Sequence, residues 1–229
     1  MSEPLAPTRR RQKEARPQQL LDAALMLFVE KGFAATRAEE VAQRAGVSKG
    51  TLYLYYPSKE ELLKAVISEH LSSRIAAGAA LVEQHQGSVA DLLREVYSRW
   101  WLEVFDSPLS GVFKLIITEV RNFPDLGEFH NREVVQPGEE LIARIVQRGI
   151  DSGEFEPLDV PSVVHSLLLP MVMVCLHKHS LGACAGHRED FDAHEFIHSH
   201  IDLVLRGLRR SAQPARGSER RTSRAPTRP

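Results

Sequence analysis

The chain has 229 residues, 43% of them hydrophobic and 26% charged, enough for one ordinary core and a small satellite domain. A formal net charge of −1 does not by itself suggest a nucleic-acid partner, but the charges are unevenly placed: residues 1–16 hold five basic and two acidic groups, 17–64 six of each, 65–208 eleven basic against twenty-one acidic, and 209–229 seven basic and one acidic. No apolar run reaches eighteen residues and nothing hydrophobic precedes the charges of MSEPLAPTRRR, so neither a membrane span nor a secretion signal is expected.

In chain order, residues 1–16 form a basic arm carrying Arg9, Arg10, Arg11, Lys13 and Arg16, expected to be disordered and placed to lie along phosphate or a minor groove. A first helix is expected over 18–31. Thr36 followed by Glu39 makes a capping box that opens a second helix, 38–45, with Val41, Ala42 and Ala45 on its inner side. Gly46 sits where a helix end tolerates the left-handed conformation, and Ser48 is an N-cap for a third helix, 49–55. Val47 and Leu52 plug the contact between the two. Lys49, Gly50, Thr51, Tyr53 and Tyr55 are left facing outward. Ser58 with Glu61 is a second capping box, opening a long helix over 59–84 that begins at Lys59.

Three short capped amphipathic helices also occur in proteins that never touch DNA. The outer face argues otherwise, because no carboxylate occurs between Val47 and Ser58, and phosphate would meet no repulsion along that stretch of sequence. In a helix-turn-helix the first turn of the second helix reads base edges while flanking groups hold the backbone. Lys49, Gly50 and Thr51 are placed for the groove, Tyr53, Tyr55 and Lys59 for phosphate, and Arg37 and Ser48 complete the candidate set.

Beyond this unit helices are expected over 88–106, 109–122, 125–135, 137–152, 160–180 and 190–208, with interruptions at Pro108, Phe123-Pro124, Gln136-Pro137 and Asp151-Ser152-Gly153, and no strand pattern appears. The stretch VVHSLLLPMVMVCL, residues 163–176, is apolar nearly all round and must be covered on more than one face. Cys175 and Cys184 lack CxxC spacing and read as reduced thiols of a cytoplasmic protein, and the basic segment 209–229, rich in Pro, Ser and Gly, is expected to be disordered.

The segment LLDAALMLFVEKGFAATRAEEVAQRAGV followed by SKGTLYLYYPSKEEL resembles the TetR (tetracycline repressor) family of transcription regulators, and TEVRNFPDLGEFHNREVV and RGIDSGEFEP are similar to segments of its effector-binding half. Ala38, where a larger apolar residue is usual, and Tyr56, where Phe is usual, depart from the pattern. The resemblance implies an all-α fold in which residues 17–64 bind DNA and 65–208 bind an effector and dimerise. It places Thr36 on phosphate, Lys49, Gly50 and Thr51 on base edges, and Tyr53, Tyr55 and Lys59 on the backbone.

The resemblance also implies an effector pocket. Trp100, Trp101, Phe105, Phe113, Ile117, Met171, Met173 and Cys175 are candidates for its wall, with His165 as its polar group. The last two long helices would pair with those of a second copy through Val164, Leu168 and Val172 on one and Phe191, His194, His198, Ile201 and Leu205 on the other.

The function expected is that of a cytoplasmic homodimer, associated with the nucleoid when bound, that binds a palindromic double-stranded DNA operator and is released by a hydrophobic or amphipathic small molecule. No cofactor is implied, and no phosphate loop, GxSxG elbow or paired-carboxylate signature points to an enzyme. Two alternatives stand beside it. One is a metal-responsive regulator using His194 and His198, which share a helix face. The other is a DNA-binding factor without an effector.

Overall fold

The computed structural model describes residues 9–180, 182 and 191–209, and among them there is no strand, only an isolated antiparallel bridge between Phe155 and Arg209. Helix α1 spans Arg9–Lys31, α2 Ala38–Arg44 and α3 Lys49–Tyr55. Helix α4 runs over 59–84, α5 over 89–106 and α7 over 124–151. Each of these three contains one π turn, at Ser68–Ser72, Leu92–Tyr97 and Asn131–Val135 respectively, with right-handed helical backbone maintained at the junctions. Helix α6 is Ser110–Glu119, α8 Val160–Lys178 and α9 Ala193–Leu208.

The turn between α2 and α3 forms as its residues demand. Gly46 takes a positive φ of 67°, the Val47 N–H bonds back to Ala42 O at 2.9 Å and the Gly46 N–H to Gln43 O at 3.1 Å, which together make a Schellman motif. Ser48 Oγ then accepts the Thr51 N–H and Ser58 Oγ the Glu61 N–H, each at 3.1 Å, starting α3 and α4. Leu20, Ala24 and Phe28 of α1 meet Val41, Ala42, Leu52, Leu62 and Leu63 in one core, none of them more than 2% exposed.

Three sequence expectations are corrected here. The arm was expected to be disordered through residue 16, but α1 already begins at Arg9. Its residues are mostly strong helix formers, which offsets Pro17 inside the helix, whose ring nitrogen cannot donate to the Lys13 carbonyl. Helix α2 starts at Ala38 as expected, but its capping box is shifted by one residue: Arg37 is the N-cap, its N–H donating to Glu40 Oε2 at 3.2 Å, and Thr36 lies outside the helix. Helices expected over 125–135 and 137–152 are one helix. Pro137 clashes most with the carbonyl four residues before it, that of Glu133, and this carbonyl lies in a π turn whose wider ladder gives room for the ring. Residues 1–8 and 210–229, with Cys184 and the basic tail, lie outside the described residues.

Distant side chains tie the helix ends together. Glu154 accepts the Val89 and Ala90 N–H groups at the start of α5, and Arg148 donates to Val82 O and His85 O at the end of α4. Helix α8 contains Pro170, which cannot donate to the carbonyl of Ser166, and His200 Nε2 of α9 donates to that oxygen at 2.9 Å instead. Although α8 is long and apolar enough by composition to cross a membrane, it packs against α6, α7 and α9, and Tyr97 Oη donates to its Leu167 carbonyl at 3.0 Å.

Candidate DNA-reading surface and effector cavity

Helix α3 presents Lys49, Gly50, Tyr53 and Leu54 outward, with Thr51 and Tyr55 half-buried beside them. Ser48 Oγ and Thr51 Oγ1 are 2.8 Å apart and hold one another, so Ser48 acts first as a cap. Gly50 has ordinary helical geometry, and a Cβ there would meet only Ser48 Oγ at 3.8 Å. Glycine inside a helix costs stability, and no internal packing requires it here. Leu54 is 86% exposed, an apolar side chain of the kind that can meet a thymine methyl. The signal for it was an apolar residue two positions past the core-facing Leu52, on the opposite side of α3.

Three expected DNA contacts are rearranged. Thr36 is 1% exposed and its hydroxyl donates to Gly32 O at 2.7 Å and to Leu27 O at 3.1 Å, so this side chain closes the end of α1 instead of facing phosphate. Lys59 likewise turns inward: its Nζ donates to Phe33 O at 2.8 Å, Thr36 O at 3.2 Å and Ala34 O at 3.3 Å and lies 4.4 Å from the Phe33 ring centroid. All three ammonium donors are thereby used. Lys59→Met should therefore destabilise the protein by about 2 kcal/mol, the scale of charged hydrogen bonds plus a cation–π contact. The slope of DNA affinity against salt should stay unchanged. A phosphate contact would instead lower that slope by about one when lost, so a salt titration of both proteins separates the two roles.

The third rearrangement concerns charge. The run from Val47 to Ser58 lacks carboxylates in sequence, yet Glu39 of α2 bonds Lys49 directly, and Lys49 also lies 5.7 Å from the Tyr53 ring centroid. The Lys49 hydrogen bond holds the Glu39 carboxyl below its ordinary pKa, and Glu39 raises that of Lys49. For Lys49 to reach DNA it must leave a partner that would itself repel phosphate. Glu39→Gln should tighten DNA binding a few-fold at low ionic strength, the difference fading in high salt. Weaker, salt-independent binding would mean that the carboxylate itself touches a base. Arg37 is exposed at the N-cap of α2 and acts on Glu39 and Glu40 through space.

A cavity of about 260 Å³ lies between α4, α5, α6, α7 and α8. The π turns are part of its wall: Leu71 comes from the first, Leu92, Val96 and Tyr97 from the second, Val134 and Val135 from the third. Trp100, Trp101, Phe113, Ile117 and His165 line it, with Trp101 and Phe113 rings 5.8 Å apart. Phe105, Met171, Met173 and Cys175 do not. Phe105 packs instead on His194 and under Lys178, Met171 and Cys175 are 1% exposed in the core, and Met173 is 62% exposed on the outer side of α8. Burial pushes the Cys175 thiol up to about 12, which makes it a packing group.

His165 Nε2 lies 3.5 Å from Glu139 Oε1, both substantially exposed at the rim. His130 is a lining residue that the sequence did not single out: its Nε2 is buried without a hydrogen-bond partner, and burial pushes its pKa down to about 4.

The expected dimer residues divide. Ile201 and Leu205 are buried inside the protomer because the apolar stripe of α9 faces the core, Val164 of α8 is buried as well, and Leu168 and Val172 of α8 line the cavity. Phe191, His194 and His198 are exposed; His194 Nε2 is 2.8 Å from Asp106 Oδ1. Among the described residues, no three His, Cys, Asp or Glu side chains converge as a metal site needs. The outward faces of α8 and α9 carry Met173 and Leu203, each 62% exposed, while Leu169, equally exposed, stands at the mouth of the cavity.

A helix-turn-helix seated on a helical body with a largely apolar internal cavity defines a DNA-binding transcription regulator, not an enzyme. Residues 20–66 match the family model of bacterial regulatory proteins of the tetR family, and residues 83–182 match that of the tetracyclin repressor-like C-terminal domain. The chain belongs to the TetR family. It is 28% identical over 166 residues to the HTH-type transcriptional regulator YfiR of Bacillus subtilis, covering 69% of this chain and 77% of that one. It is 27% identical over 151 residues to the fatty acid metabolism regulator protein of the same organism, covering 66% and 76%. The structure of FadR from Bacillus subtilis in complex with stearoyl-CoA superposes with a TM-score of 0.67 at 21% identity, covering 83% of this chain and 98% of that one.

Proposed function

We propose that the protein is a cytoplasmic homodimeric repressor that leaves a palindromic operator when a hydrophobic or amphipathic small molecule enters the cavity. The observation that carries this reading is the continuity of α4. At its start Lys59 grips the loop between α1 and α2, and further along the same helix Leu71, Ile75, Gly78 and Val82 wall the cavity. A ligand that favours a splayed arrangement of α4 moves the reading helix with it. Converting 99% operator-competent protein to 1% takes about 5.5 kcal/mol of differential binding. The apolar wall supports an effector with an acyl or similar chain, as do the fatty acid metabolism regulator among the relatives and the stearoyl-CoA bound to the FadR of similar fold.

We assign dimerisation to the outward faces of α8 and α9, through Met173 and Leu203, in place of the stripe that turns inward. A twofold pair of reading helices spans half-sites about 34–36 Å apart, or a multiple of that. Selection of binding sites from a random DNA library by the purified protein tests this reading. An inverted repeat, bound less tightly once a cavity ligand is added, is the expected result. Enrichment of no repeat, or operator affinity that ignores every ligand shown to bind, counts against it.

A further inference from the structure

The charges around the cavity discriminate between ligands. None of its lining residues is Lys or Arg, and its only carboxylate is Glu139, at the rim beside His165. The Tyr97 hydroxyl already donates to Leu167 O, and Trp100 Nε1 donates to Arg74 O at 3.4 Å. A carboxylate drawn inside would lose its water, find no counter-charge and approach Glu139. Two buried nitrogens on its lining residues lack a hydrogen-bond partner, Trp101 Nε1 and His130 Nε2; the indole N–H can only donate, whereas the imidazole nitrogen can donate to or accept from a neutral oxygen.

We infer that the cavity selects uncharged ligands, an apolar chain or ring bearing one hydrogen-bonding oxygen set against His130 Nε2, such as an alcohol, ketone, ester or thioester, and that it rejects free carboxylates. His130 suits this role because burial holds its pKa near about 4, so the ring is neutral at physiological pH and offers a single donor and a single acceptor. Since an apolar cavity of about 150 Å³ takes a benzene-sized guest, one of about 260 Å³ encloses about ten heavy atoms, and a longer molecule must emerge past His165 and Glu139. The inference rests on the effector reading above and narrows it: within an acyl series, the thioester or ester is the ligand and the free acid is not.

Trp100 and Trp101, the only tryptophans of the chain, both line the cavity and report on it directly. Full-length protein without DNA is titrated with 1-octanol, octanoate and propylbenzene at pH 7.5, following tryptophan emission and thermal stability. Saturable binding of 1-octanol is expected, with octanoate at least about tenfold weaker because its charge must be desolvated. In His130→Leu, 1-octanol should weaken about fivefold, the scale of one neutral hydrogen bond, while propylbenzene binding persists; His130→Gln, which can still hydrogen-bond, should recover part of the loss.

Octanoate binding within threefold of 1-octanol overturns the inference, as does 1-octanol affinity indifferent to both substitutions, or no response to any of the three probes. These outcomes are read without DNA. A probe that binds as expected yet leaves operator affinity unchanged defeats the induction reading and leaves the ligand selectivity standing.

Discussion

Phe33→Ala should remove about 3–5 kcal/mol of stability, the usual cost of deleting a fully buried aromatic ring, and with it nearly all operator binding. Phe33 is 0% exposed. Its ring lies 5.4 Å from that of Phe28 in α1 and 5.0 Å, edge-on, from that of Phe123 in the link between α6 and α7. Lys59 covers it and bonds its carbonyl. One side chain thus joins the core of the DNA-binding unit, the N-terminus of α4 and the effector-binding body. The unit is small and has little stability to spare, so its loss should appear as an early separate transition in chemical denaturation, followed by melting of the body. A single cooperative transition shifted by less than about 1 kcal/mol would contradict this role.

Leu203→Glu, and independently Met173→Glu, should convert the dimer into a folded monomer. Both side chains are 62% exposed and neither lines the cavity, so the substitution costs the protomer little. Across a twofold axis it sets like charges close together inside an apolar contact, at a cost of several kcal/mol, which raises the dimer dissociation constant by roughly a thousandfold. Sedimentation velocity at micromolar protein should show the monomer, and operator affinity should fall as each half-site is bound alone. Leu81→Glu is the control, since Leu81 is 55% exposed on α4, away from both helices, and should leave the dimer intact. A stable dimer in both test variants would remove α8 and α9 from the interface.

These expectations differ from those drawn from sequence because partners are chosen at different ranges. Gly46, Ser48 and Ser58 act on backbone groups within a few residues of themselves, so the turn and the starts of α3 and α4 were legible from the letters alone. The apolar nature of residues 163–176 was legible for the same reason, being a property of one segment. The partners of Lys59 lie 23 to 26 residues earlier, and Glu39 lies ten residues before Lys49 on another helix. Neither pairing leaves a mark in local spacing. A run free of carboxylates in the chain acquired one in space when α2 packed beside α3.

The same contrast holds in the body. Of the pocket candidates, Trp100, Trp101, Phe113, Ile117 and His165 line the cavity, while His130, which carries a buried unpaired nitrogen, was not distinguished. Periodicity gave the outline of α9 but not its orientation, because one helix carries its stripe through Ile201 and Leu205 and also exposes Leu203, and only packing against the body decides which turns inward.

Sequence alone determined the all-helical class, the helix-turn-helix with the caps of α3 and α4, and the family, since each depends on short-range hydrogen bonding or on a contiguous pattern of residues. Tertiary structure decided which cations remain free for DNA, how the π turns contribute to the wall of a cavity, which polar atoms on that wall are unpaired and which apolar face is left outside. Those outcomes depend on competition among side chains far apart in the chain, and that competition is resolved only when the helices are packed together.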